Sequence, residues 1–170
     1  MYAIDDQDTV VELKDVPQSC VGAPCPMILC GEHFLHLVYI LEADLGNWDG
    51  TNIRVLDANS PGETCALVHF EHVEAHMFGP PNDEAFHGHP LSRRGLRPYS
   101  VNEIRKSSWI RKLERMNSIH PYHRPEAYLK LKHFIFAFHD TTFECVAEGF
   151  ELSLHWGSVS SVLRASWPEG

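Results

Sequence analysis

Apolar and polar positions alternate most regularly between His133 and Leu154, in HFIFAFHDTTFECVAEGFELSL. Successive side chains on a strand point to opposite faces, so a period of two predicts strands here. Phe134, Phe136 and Phe138 share one parity, and Phe143, Cys145 and Ala147 continue it beyond Asp140-Thr141. A two-residue turn at Asp140-Thr141 places Phe138 opposite Phe143 and Phe136 opposite Cys145. Asp-Thr lacks the glycine that such turns prefer, and a longer loop fits equally. Burying one Phe contributes about 1.5–3 kcal/mol, so the aromatic face points inward. The other face then carries His139, Glu144 and Glu148 beside Ile135, Ala137 and Val146. Gly149 marks a bend, after which Phe150, Leu152, Leu154 and Trp156 keep the period, as a continuation or a new strand.

Further strands are expected at Val10 to Val16, at Met27 to Glu42 (one, or two joined at Gly31), at Ile53 to Ala58 and at Cys65 to Met77. Asp44 to Thr51 reads as a turn region. Ser100-Val101-Asn102-Glu103 has the form of a capping box, which predicts a helix over 100–117 with Val101, Ile104, Trp109, Leu113 and Met116 on its apolar side. Pro125 opens a short helix through Leu131, and Val159, Val162 and Leu163 fall on one side of another in the tail. Together these elements predict one α+β domain over 1–170. Its sheet is mainly antiparallel, as a barrel or a sandwich, and the helix at 100–117 is its principal cover.

Composition narrows the class. The chain is 44% hydrophobic, as globular proteins are. Its longest apolar run, Leu35 to Leu41, is too short for a membrane span, and the acidic start lacks the features of a signal peptide. A cytoplasmic location follows as the expectation. Five cysteines without a secretion signal suit reduced thiols. The spacing of Cys20, Cys25 and Cys30 does not match the close pairs of structural zinc sites.

The net charge of -9 is unevenly spread. Residues 1–86 hold 15 acids against Lys14 and Arg54, whereas residues 87–132 hold 11 Lys and Arg against Glu103, Glu114 and Glu126. One reading packs the basic segment against the acidic strands of the same domain. The other makes Arg93, Arg94 and Arg97, with Tyr99, a site for a small anion, because the guanidinium fork suits carboxylate and phosphate. Nucleic acid is disfavoured as a partner, since the acidic remainder repels phosphates.

Twelve histidines supply the candidate chemistry. His72 and His76 stand at a spacing that suits a divalent metal on strand or helix, and His87 and His89 form a second close pair. His87, His89 and His123 are candidates for acid–base work. Cys145, among the phenylalanines, is expected to be inert. No nucleophile elbow, phosphate-binding glycine loop or dinucleotide fingerprint is present. Two functions remain: binding of a small anionic ligand, with a histidine- or metal-assisted reaction as an extension, and a protein–protein interaction module without catalysis.

Overall fold

The structure, a computed structural model, describes residues 2–32, 34–43 and 55–167. Within them, nine strands form two antiparallel sheets that pack face to face, and three helices lie outside. The strands are β1 (Thr9–Glu12), β2 (Met27–Cys30), β3 (Leu35–Ile40), β4 (Glu63–Glu71), β5 (Ala75–Gly79), β6 (Val101–Arg105), β7 (Lys132–Ala137), β8 (Thr142–Ala147) and β9 (Gly149–Gly157). One sheet runs β1-β6-β7-β8-β5 and the other β2-β3-β4-β9. The architecture is thus α+β with antiparallel sheets, and it is not a closed barrel.

The core lies between the sheets. Phe134, Phe136, Phe143 and Cys145 from one sheet meet Leu37, Tyr39, Val68 and Phe70 from the other, all buried. Phe70 touches Phe134, Phe136, Phe143 and Phe150, with ring centroids 5.4–6.2 Å apart. The aromatic face of the 133–147 ribbon therefore points inward. Its register differs from the two-residue turn: Phe136 faces Phe143 and Phe134 faces Cys145, joined by a loop closed by Phe138 N–H to Thr141 O (2.9 Å). The shift is two residues along the strand, and an even shift leaves every side chain on its own face.

The longest strand signals bend between sheets. Cys65 to Met77 is two strands, β4 and β5, separated at His72-Val73-Glu74, where His72 takes φ 50°. Directly opposite, β8 ends at Ala147 and β9 begins at Gly149. β5 pairs with β8 in one sheet and β4 with β9 in the other. Glu148 N–H to Glu71 O and Glu74 N–H to Val146 O, both 2.9 Å, stitch the corner. A single bent ribbon therefore belongs to both sheets.

The helix expected over 100–117 starts later, at Ser108. Val101–Arg105 is instead β6, between β1 and β7, with Asn102 and Ile104 buried against its own sheet's cover. Pairing on both sides outweighs the local capping signal at Ser100. Helix α1 (Ser108–Asn117) is capped by Ser107, whose Oγ accepts from Trp109 N and Ile110 N. Helix α2 (Pro125–Tyr128) is one turn, and α3 (Val159–Ala165) buries Val159, Val162 and Leu163 on the four-stranded sheet. No strand forms at 55–58, and the rest of the strand expected at 53–58, like the turn at 44–51, lies outside the described residues. Among the described residues no helix is long and apolar enough to cross a membrane.

Candidate functional site

The outer face of the five-stranded sheet carries the unusual chemistry. Glu144 on β8 and His133 on β7 share that face, and so do Ile135 and Val146. The N-terminus, α1 and the segment 86–96 cover it with Tyr2, Trp109, Phe86 and Leu91. Two short 3-10 turns, Phe86–Gly88 and Ser92–Arg94, fold that segment tightly enough to bring His89 down onto the sheet.

Glu144 is consequently buried, and three groups reach its carboxylate. Tyr2 donates its hydroxyl to Oε2 at 2.7 Å, His133 Nε2 lies 3.0 Å from the same oxygen, and His89 Nε2 lies 3.2 Å from Oε1. His89 Nδ1 accepts the Leu91 N–H (3.1 Å), which puts the His89 proton on Nε2, aimed at Glu144. His133 Nδ1 meets the Ser107 hydroxyl at 3.0 Å, so the residue that caps α1 also orients this imidazole. Burial alone pushes the Glu144 carboxyl up, but the bonds and charge of His133 and His89 outweigh it and hold it down at about 2. Burial, then the facing Glu144 charge, push the Tyr2 phenol well above its ordinary value. Every polar atom of the carboxylate is engaged and sealed off. This is a satisfied structural network, without a face for substrate.

An open site lies elsewhere on the same sheet, where β1 meets the chain leading into β6. Val10, Glu12, Arg97, Tyr99, Ser100 and Asn102 line a hollow of about 560 Å³. It adjoins a second of about 320 Å³ that shares Glu12, Tyr99 and Ser100 and adds Lys14, Asp15 and Tyr39. The rim is held by short polar bonds: Asn102 Nδ2 donates to Ser100 Oγ (2.7 Å), and Ser100 Oγ donates to Arg97 O (2.6 Å). Tyr99 sits in the left-handed region at φ 59°, and its hydroxyl donates to Asp83. That bond raises the Tyr99 phenol to about 12 and lowers the Asp83 carboxyl. His139 packs edge-on to Tyr99, with Nδ1 at 3.2 Å from Asp140 Oδ1 and 3.8 Å from Asp83 Oδ1.

The structure separates the candidate residues of the sequence. Arg97 and Tyr99 line the hollow together. Arg94 is turned to the N-terminus, donating to the carbonyls of Asp5 and Asp8. Arg93 is exposed on its 3-10 turn. His87 is exposed, His89 is buried on Glu144, and His123 contacts Glu114 (2.8 Å) and Asn117 of α1. His72 borders a shallow hollow with His69, Glu71 and Glu148, and His76 one with Cys30 and Glu32. Among the described residues no group of three or more His, Cys, Asp or Glu is placed to hold a metal. The basic middle segment is partly spent within the fold, since Arg111 pairs with Asp5 and Arg105 with Glu103. Cys145 is buried in the core, which raises its thiol far above the ordinary range.

Sequence reasoning missed Tyr2, His133 and Glu144 as partners, and Glu12 and Lys14 as lining residues. Shared parity on adjoining strands links His133 to Glu144, but Tyr2 and His89 arrive from loops and carry no periodic signal. Comparison with protein-family models, with curated proteins and with solved structures finds no match.

Proposed function

We propose that this protein binds a small anionic ligand in the hollow between β1 and residues 95–102, without itself transforming it. The observation that carries this reading is Arg97. Arg97 lines the hollow and is exposed, and it makes no ion pair with any described carboxylate, whereas Arg94, Arg105 and Arg111 of the same basic segment have partners within the chain. A guanidinium at the rim of a polar concavity offers two parallel donors to one carboxylate or phosphate. Lys14, lining the adjoining hollow, adds a second cation. Glu12 and Asp15 keep the site mixed in sign, which favours a ligand that carries donors as well as its anionic group.

The choice of binding over catalysis rests on the histidines. His87, His89 and His123 line neither hollow, and the most perturbed carboxylate, Glu144, is sealed from it. A thermal-shift screen with inorganic phosphate, citrate and phosphorylated or carboxylated metabolites tests the reading. Stabilisation by at least one anion, abolished in Arg97→Ala and weakened in Lys14→Ala, is the expected result. An unshifted wild type across the panel, or a shift that survives Arg97→Ala, overturns it.

A further inference from the structure

β9 is an open edge of unusual length. Among the described residues nothing pairs with its outer side, and it runs for nine residues. The other three edges are short: β1 and β2 have four residues each and β5 has five, ending against Pro80-Pro81. Proline, lysine and brevity are the usual protections of a sheet edge. β9, GFELSLHWG, has none of them. Its inner-face side chains become progressively less covered along the strand: Phe150 and Leu152 pack against the core, while Leu154 and Trp156 are 56% and 77% exposed.

The strand is complementary to itself. Across β3 and β4, Leu41 N–H bonds Thr64 O (2.9 Å), so even-numbered residues of β4 bond toward β3 and odd-numbered ones toward β9. Odd pairs with odd between β4 and β9, which leaves the backbone groups of Phe150, Leu152, Leu154 and Trp156 aimed outward. An antiparallel partner centred on Ser153 would use those groups over the whole strand. It sets Leu152 against Leu154, Phe150 against Trp156 and Glu151 against His155, each twice by symmetry. Carboxylate faces imidazole and apolar faces apolar, with no like charges opposed.

We propose that β9 is the interface of a symmetric homodimer, in which two copies join edge to edge about Ser153 into one continuous eight-stranded sheet. A two-fold axis normal to the sheet, passing between the two Ser153 residues, keeps inner face with inner face, so Leu154 and Trp156 of each copy are covered by Leu152 and Phe150 of the other. A seam one strand wide is at the small end of stable interfaces, and its Kd is on the order of 10 µM.

Sedimentation equilibrium on the full chain across that concentration range tests the proposal with a charge swap. Glu151→Lys alone opposes lysine to His155, and His155→Glu alone opposes glutamate to Glu151, so each weakens the dimer roughly three- to tenfold. The double variant Glu151→Lys/His155→Glu restores it. Both side chains are exposed, and matching thermal unfolding curves confirm that each variant folds. Leu154→Lys, which places two lysines in the middle of the seam, gives a monomer. A wild type that stays monomeric well above the expected Kd overturns the proposal. So does a dimer indifferent to these substitutions, or one that the double variant fails to restore.

Discussion

A carboxylate removed from water stays charged only where donors replace the solvent, and Glu144 has three of them. Replacing it by Gln keeps the volume but turns an amide NH2 toward groups that themselves donate. We expect Glu144→Gln to cost about 2–4 kcal/mol, the range for a buried polar pair broken on one side. The network also dictates an acid limb. Its folded-state value of about 2 lies below the ordinary 4.5 of the free side chain, so the unfolded chain takes up the proton first. The contribution is complete above about pH 5 and is lost as pH falls toward 2. Urea unfolding at a series of pH values should show stability falling over that window in the wild type and a flatter profile in Glu144→Gln. Equal slopes in the two proteins would sink the assignment.

At the scale of the element, what could be read beforehand follows from what periodicity encodes. The parity of Phe134, Phe136, Phe143 and Cys145 identified the buried face, because one wrong step would expose three phenylalanines and a thiol. The same parity cannot see an even shift, and so the hairpin register moved by two residues. Residues 100–105 carry a capping pattern and apolar residues three apart, Val101 and Ile104, both of which read as helix, and only the strands on either side make this segment β6. The hollow at Arg97 was half legible: a basic loop drew the eye, but nothing local tells that Arg94 would be spent on the carbonyls of Asp5 and Asp8. The turn at His72 was likewise hidden inside a continuous strand signal. His72 holds φ 50° there, a conformation that costs a side-chain-bearing residue about 1 kcal/mol relative to glycine. It is exposed, so His72→Gly should raise the unfolding free energy by up to about 1 kcal/mol, measured by denaturant titration. A loss of stability would show that the imidazole contributes more than its backbone strain removes.

The bent ribbon of β4–β5 and β8–β9 contributes strands to both sheets and is bonded across their shared corner, so the two sheets are expected to unfold together. Phe70 lies at the centre of this arrangement. Its strand belongs to the four-stranded sheet, while three of its four aromatic neighbours, Phe134, Phe136 and Phe143, belong to the other. Phe70→Leu removes four ring–ring contacts, of which the one to Phe136 is edge-to-face, and leaves a small void in the core, at a cost of about 1–2 kcal/mol. With the other three of the chain's four tryptophans replaced by Phe, Trp109 fluorescence reports the outer face of the five-stranded sheet, where the ring stacks on Tyr2 with centroids 5.2 Å apart, and far-ultraviolet dichroism reports strands of both. If the ribbon joins the sheets into one folding unit, both signals move together in the variant, with coincident midpoints and an unchanged urea dependence. Two resolved transitions, one sheet melting before the other, would mean that the corner is a hinge and that the sandwich is held together by its core alone.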